Sequence, residues 1–288
     1  MDYASKRPLD ILVLSDIHLG TYGCHAKELL DYLHSVTPNM VILNGDIIDI
    51  WQFRKRYWPN DHMKVVKKVI EWITQGVNVY YITGNHDEML RKFSNNQLGN
   101  LHIVNKLVID LNSHQKAWFF HGDVFDVSMK HSKWLAKLGG VGYDMLILIN
   151  RFVNFVSEKV FKQGKISLSK RIKNSVKSAL TFISNFEQTI AEIAIENQYD
   201  YVVCGHIHQP VIKTLVNHKG STIYMNSGDW IENLSALEYQ EGEWRLFTYP
   251  TPGKNKPQTQ YQASPHAQHD AYNEDLIESF MHEFVVTK

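Results

Sequence analysis

Cysteine is scarce: 288 residues contain only Cys24 and Cys204. Two thiols are too few for a disulfide framework and fit a reducing compartment, so the expected location is the cytoplasm. Long apolar runs are also missing. The nearest approach to the ~20 residues of a spanning helix is Tyr143 to Val156, which Asn150 and Arg151 interrupt. The opening residues MDYASKRPLD lead into a short apolar run with neither the length nor the flanks of a secretory signal. There is no internal repeat at a fixed period. No GxSxG or CxxxxxR pattern offers a serine or cysteine nucleophile. Net charge is absent as well, with 30 basic and 30 acidic residues.

The neutral total conceals a local block. Between Val127 and Phe186 eleven Lys and Arg stand against Asp144 and Glu158 alone, a basic excess of nine. Such a block suits phosphates, nucleic acid or anionic lipid. Hydrophobic residues at 44% and charged residues at 21% are ordinary for a folded chain. The length predicts one large domain, or one domain carrying an insertion.

Apolar runs alternate with amphipathic stretches over the first 125 residues, the pattern of an α/β domain. Strands are predicted at Leu9–Leu14, Met40–Leu43, Val77–Ile82, His102–Leu111 and Lys116–Phe120, the last two joined as a hairpin by Asn112–Gln115. Helices are predicted at His25–Ser35 and from an Asn60 or Asp61 cap to a stop at Gly76. From Lys130 to Ala194 apolar residues at helical spacing run among lysines, which predicts an inserted helical cap. Strands return at Tyr201–Cys204, Val211–Val216, Ser221–Met225, Ser235–Tyr239 and Glu243–Tyr249 and are expected to form a second, mostly antiparallel sheet. Pro250–Ala271 has the composition of an unstructured tail, ahead of a short helix at Glu274–Phe284. The expected division is a core of 1–126 and 195–250, a basic cap of 127–194 and a tail of 251–288.

Candidate metal ligands fall just past the carboxyl ends of predicted strands. Asp16 and His18 follow the first, Asp46 the second, Asn85 the third, His121 a fourth, and His206 with His208 a fifth. In open α/β sheets that edge is where ligands bind, so these positions can converge. Two Asp, one Asn and four His without a thiolate form a nitrogen and oxygen set suited to manganese, iron, zinc or cobalt. Gly45, Gly84, Gly122 and Gly205 each adjoin a candidate, where a backbone lacking a side chain can turn sharply off the strand.

The fragments SDIHLG, NGDIID, TGNHDE, FHGD and CGHIHQP together resemble the calcineurin-like metallophosphoesterases, whose pattern is DxH, GDxxD, GNHD/E, a later His and GHxH. The resemblance implies a four-layer αββα sandwich of two mixed sheets. It also implies two divalent transition-metal ions, manganese first among the candidates. Asp16, His18, Asp46 and His208 would hold one and Asp46, Asn85, His121 and His206 the other, with Asp46 bridging. Water activated by the metals would be the nucleophile. His86, Asp46 and Asn85 are then the expected catalytic residues, with Asn85 and His86 also meeting substrate and His86 serving as general acid or charge stabiliser. Asp49 and Asp87 are expected to orient histidines, with loop capping as the alternative.

Further residues resemble the UDP-2,3-diacylglucosamine diphosphatases of lipid A synthesis, which release UMP from a lipid-linked sugar nucleotide. These are Trp51, the HGD of His121 to Asp123, the NSVKS run at Asn174 to Ser178, and SGDW ending at Trp230. That resemblance implies Trp51, Asn174, Lys177 and Trp230 as substrate contacts. It also implies a phosphorylated lipid as substrate, and a basic cap suits peripheral contact with an anionic membrane at its inner face. His86 departs from the pattern, because those enzymes typically carry Arg there. A general phosphatase, cyclic-nucleotide phosphodiesterase or nuclease on the same centre is the alternative. Nucleic acid is the weaker candidate, since the basic block lacks interleaved stacking aromatics.

Overall fold

The computed structural model describes residues 6–50, 57–111, 115–125 and 186–250. In chain order its elements are β1 (Arg7–Leu14), α1 (Ala26–Ser35), β2 (Val36–Asn44), α2 (Asn60–Thr74), β3 (Asn78–Ile82), β4 (Asn96–Leu98), β5 (Leu101–Val104), β6 (Lys106–Asp110) and β7 (Lys116–Phe120). A helix at 186–196, α3, precedes β8 (Tyr201–Cys204), β9 (Val211–Asn217), β10 (Gly220–Asn226), β11 (Ser235–Gln240) and β12 (Glu243–Thr248).

Two mixed sheets stack face to face. The first runs β12-β11-β1-β2-β3-β5-β4 and the second β6-β7-β8-β10-β9. The neighbours β1, β2, β3 and β5 are parallel, as are β7, β8 and β10, so several carboxyl ends emerge on one edge. Three apolar clusters define four layers. Leu29, Tyr32, Leu33, Val65 and Trp72 of α1 and α2 pack on Leu12, Leu14, Val41 and Leu43 of the first sheet. Ile11, Val13, Ile42, Phe119, Val203, Met225 and Leu237 fill the space between the sheets. Phe186, Ile190, Ile193 and Ala194 of α3 cover Trp118, Phe120, Val202 and Cys204 on the outer face of the second. This is the expected αββα sandwich. Among the described residues, no helix is long and apolar enough to cross a membrane.

Local chemistry accounts for the element ends. α1 buries Ala26, Leu29, Tyr32 and Leu33, one helical stripe. Its C-cap, Val36, is already extended, so the chain passes into β2 without a loop. The cap of α2 is Pro59, with Asn60 and Asp61 inside the first turn and no side-chain cap bond, which corrects the predicted cap by one position. Gly76 does end this helix. At φ +91° it lets its own amide reach the Ile73 carbonyl (3.1 Å) and the Val77 amide reach the Trp72 carbonyl (3.0 Å), the paired bonds of a Schellman stop.

Two strand assignments change. The predicted strand His102–Leu111 is divided at Asn105, with β5 in the first sheet and β6 in the second. Alternation carries through the crossing, so period alone could not reveal it. Asn105 marks the step, its Oδ1 accepting from the Thr83 hydroxyl at 3.0 Å. The hairpin of β6 and β7 forms as expected, Lys106 opposite Phe120, although 112–114 of its turn lie outside the described residues. β11 and β12 join the first sheet, where β11 lies antiparallel to the open edge of β1. β11 is buried on both faces. Ala236 packs toward the helices, Leu237 and Tyr239 pack between the sheets, and buried Glu238 takes Arg7 at 2.7 and 2.9 Å and the Tyr32 hydroxyl at 2.8 Å. The second sheet is consequently mixed, with β8 parallel to both neighbours. Of the predicted helical cap, Lys130–Ala194, only the part from 186 onward, where α3 lies, is among the described residues; residues 126–185 and the predicted tail with its expected Glu274–Phe284 helix, 251–288, lie outside them.

Phe119 is fully buried between the sheets. Phe119→Ala is expected to lower unfolding free energy by about 3–5 kcal/mol, read as a fall in urea midpoint with an unchanged slope.

Candidate metal centre

Loops at the carboxyl ends of β1, β2 and β3 from one sheet, and of β7 and β8 from the other, meet at a single place. They are laced by main-chain bonds: Asp16 amide to Gly45 carbonyl (3.1 Å), His18 to Asp46 (2.9 Å), Leu19 to Ile47 (2.9 Å), and Gly205 to His121 (2.9 Å). Side chains then cross between loops. The His86 amide donates to Asp46 Oδ1 at 2.9 Å. The His206 amide donates to both Asp16 oxygens at 3.3 and 3.1 Å. Asp16 and Asp46 are buried, 0% and 2% exposed, and would be costly there as unpaired ions.

The backbone is strained where the side chains converge. Nine non-glycine residues in the description have φ above zero, and five are Asp16 (51°), His18 (52°), Asp46 (54°), His206 (63°) and His208 (56°). Each left-handed non-glycine residue costs on the order of 1–3 kcal/mol and is held only where surrounding structure imposes it. Here the interloop bonds impose it, so that side chains turn inward at the mouth of the sandwich.

The donors surround the two carboxylates. Asp46 Oδ2 lies 3.3 Å from His121 Nε2 and 3.8 Å from His18 Nε2. Asp16 Oδ1 lies 3.1 Å from His208 Nε2. Three overlapping groups, Asp16/His18/His208, His18/Asp46/His86 and Asp16/Asp46/His121, each bring one donor atom per residue within 4.8 Å of the others, a spacing that could hold a metal ion. The His206 ring stands edge-on to His121, centroids 5.3 Å apart. Asn85 Oδ1 is buried with no hydrogen-bond partner among the described residues. A buried carbonyl oxygen in that condition fits a cation. The seven predicted ligands are thus brought to one region.

Charge follows the same geometry. Burial opposes ionisation of Asp46, but His121, His86 and His18 outweigh it and hold the carboxyl well below its ordinary range. Burial opposes a charged His208 too, yet Asp16 raises it to about 9. His18 goes the other way, pushed down to about 4 by burial and by His86. Burial would also lower His86, but Asp46 and Asp49 carry it up to about 9.

Supporting groups divide more sharply than the sequence suggested. Asp49 does orient histidine, with Oδ2 at 3.0 Å from His86 Nδ1 and 4.0 Å from His18 Nδ1. Asp87 instead ties loops together. It accepts the Gly84 amide (2.6 Å), the Ile47 amide (3.0 Å) and the Tyr81 hydroxyl (2.6 Å), joining the loop of Asp46 to that of Asn85. His121 is set by a main-chain oxygen, Nδ1 lying 2.9 Å from the Asn44 carbonyl, which directs Nε2 at Asp46.

Sequence reasoning missed Asp229. Its Oδ1 accepts the amides of Ile231 (2.8 Å), Glu232 (2.5 Å) and Asn233 (3.2 Å), while Asn233 Nδ2 donates to the His208 carbonyl at 2.7 Å. The SGD run preceding Trp230 was the available signal, since Asp followed by such a turn is a capping residue. Trp230 itself is corrected. It is fully buried, its ring 5.5 Å from Tyr32, and so packs the core instead of meeting substrate. Trp51, Asn174 and Lys177 lie outside the described residues.

The glycines also play a different part. Neither Gly84 nor Gly205 has a left-handed backbone. A Cβ on Gly84 would stand 2.2 Å from Asp46 Oδ1, and one on Gly205 2.5 Å from Asp16 Oδ2. Space for the carboxylates is what these positions require. Gly45 meets both demands, with φ +80° and a would-be Cβ 2.3 Å from the His121 ring.

Residues 9–210 match the profile of the calcineurin-like phosphoesterases. The chain belongs to that family and is a metal-dependent phosphoesterase. Among its relatives, the UDP-2,3-diacylglucosamine hydrolase of Aliivibrio fischeri is 24% identical over 245 residues, covering 83% of this chain and 98% of that protein. The enzyme of the same name from Blochmanniella pennsylvanica is 23% identical over 247 residues, 81% and 93% of the two chains. That from Vibrio cholerae is 24% identical over 246 residues, 80% and 94%.

Gly84→Ala and Gly205→Ala are each expected to displace a carboxylate and abolish stoichiometric metal binding while the far-ultraviolet spectrum stays folded. Metal analysis after gel filtration checks this; full retention of metal would contradict the close-approach reading.

Proposed function

We propose that the chain hydrolyses the diphosphate of UDP-2,3-diacylglucosamine, or of a related lipid-linked sugar nucleotide, and releases UMP. The observation that carries this is the likeness to enzymes of that name, which extends over 98% of the Aliivibrio fischeri protein. The donor set supports it from the chemical side. In this reading Asp16, His18, Asp46 and His208 hold one divalent ion and Asp46, Asn85, His121 and His206 the other. The position of Asp46 Oδ2 between His18 and His121 suits a bridge. Nitrogen and oxygen donors without thiolate favour manganese, with iron, zinc and cobalt also matched. When bound, such ions neutralise phosphoryl charge and make water a competent nucleophile near neutral pH.

The protein's own groups do the rest. His86, which Asp46 and Asp49 raise above its ordinary pKa before any ion is bound, has its ring fixed by Asp49 through Nδ1. It is therefore equipped to protonate the departing oxygen as the phosphorus–oxygen bond breaks, or to balance charge on phosphorus. Asn85 and Asp46 position the phosphoryl group beside it. The basic segment between Val127 and Phe186 supplies charge for the diphosphate and for peripheral contact with an anionic membrane from the cytoplasmic side. Trp51, Asn174 and Lys177 remain the proposed contacts to the phosphosugar. A second reading, hydrolysis of other phosphodiesters or monoesters at the same centre, is favoured by His86, since the general family form has His where the lipid enzymes typically have Arg.

Manganese-loaded protein incubated with UDP-2,3-diacylglucosamine should yield UMP, and Asp46→Asn should yield none. His86→Ala is expected to slow turnover by roughly 10²- to 10⁴-fold. Absence of UMP alongside intact hydrolysis of simple phosphodiesters would overturn the lipid substrate in favour of the second reading.

A further inference from the structure

Beside the metal centre an aromatic ring is fixed in place yet left half in water. The His18 carbonyl accepts both the Thr21 amide (3.1 Å) and the Thr21 hydroxyl (2.9 Å), closing a tight turn directly after the left-handed His18. Gly20 and Thr21 are buried within that turn, and the Gly20 amide donates to His62 Nδ1 at 2.9 Å. The next residue, Tyr22, emerges from it with 44% of its surface exposed. Its ring lies against Tyr57, centroids 3.8 Å apart and planes at 36°. Tyr57 is itself backed edge-on by His62, at 6.0 Å and 90°. The same His62 takes the Trp58 ring edge-on at 5.8 Å. Tyr22 is therefore held from behind by rings and from below by a turn anchored on a candidate metal ligand.

An aromatic ring gains by complete burial, and the turn that buries Thr21 beside it leaves Tyr22 out. A held ring that stays partly exposed, one residue past a turn anchored on His18, is placed to meet a flat group attached to a phosphate at that centre. We infer that Tyr22, supported by Tyr57, is a stacking platform for the nucleobase of a nucleotide whose phosphate lies at the metal centre. Stacking between a base and an aromatic side chain is worth about 5- to 150-fold in binding and tolerates different bases, because every base presents a π face. Tyr22 accordingly separates nucleotides from phosphates lacking a base and has little power to tell uracil from other bases. The inference rests on a nucleotide substrate, the proposed function above, and makes Tyr22 a specificity residue of that site.

The test compares UMP with ribose 5-phosphate, which share phosphate and ribose and differ in the base. Titration calorimetry on manganese-loaded protein should find UMP bound about 5- to 150-fold more tightly. Tyr22→Ala should bring the ratio close to one, and Tyr22→Phe should preserve it, because the ring carries the effect. Using a ratio cancels any general disturbance of the metal loops. A wild-type ratio near one, or a ratio unchanged in Tyr22→Ala, would overturn the platform. If the lipid nucleotide is hydrolysed while Tyr22→Ala leaves the ratio intact, the platform fails alone. If the lipid nucleotide is not hydrolysed but the Tyr22-dependent ratio is present, the platform stands and the lipid substrate fails.

Discussion

Two carboxylates, Asp16 and Asp46, are buried as ions at the seam where the two sheets meet, and most of the surrounding structure answers to that demand. A lone carboxylate in such a place would take up a proton. Here each receives amide hydrogens from a neighbouring loop and faces imidazoles across the seam. Asp46 belongs to the first sheet and His121 to the second; Asp16 belongs to the first, and His206 and His208 to the second. The centre is thus also a polar fastening between sheets that pack on each other through an apolar layer. Left-handed residues, side-chain-free glycines and the Asp87 tie are the local means by which chains of fixed geometry supply enough donors at one point.

Much of this was legible in the residues because its cause is local. Strand ends preceding Asp16, Asp46, Asn85, His121 and His206 could be read from short apolar runs, and convergence followed from parallel strands sharing one edge. The helical stripe of α1 and the glycine stop of α2 were equally local. What escaped depended on partners distant in the chain. β11 takes its place from the free edge of β1, with Ile11 opposite Tyr239, a pairing that alternation cannot encode. The division at Asn105 escaped because a strand changing sheets keeps its period. Gly84 and Gly205 were visible as glycines, but their reason, a carboxylate oxygen arriving from another loop, was not. Trp230 and Asp87 show the same limit in reverse: each sits in a functional motif, and only packing reveals that one fills the core and the other secures main chain.

The two sides of the site differ in character. The candidate ligands are buried or half-buried, five of the seven on left-handed backbone, and several are bonded to one another, so a substitution there disturbs several neighbours at once. Tyr22 and Tyr57 lie less deeply, Tyr22 being 44% exposed, and in the proposed platform they are where recognition can change while the chemistry persists.

β7 and β8 are adjacent and parallel, Ala117 opposite Tyr201, and the whole span from 121 to 200 leaves and re-enters the sheet between these two neighbours. Both ends of that excursion are therefore pinned at fixed separation whatever lies between. Closure entropy of a flexible connection rises by only about 0.6 kcal/mol for each doubling of its length. In evolutionary terms the connection between β7 and β8 is an address at which the intervening chain can vary in size and charge without renegotiating the strand order that assembles the candidate ligands.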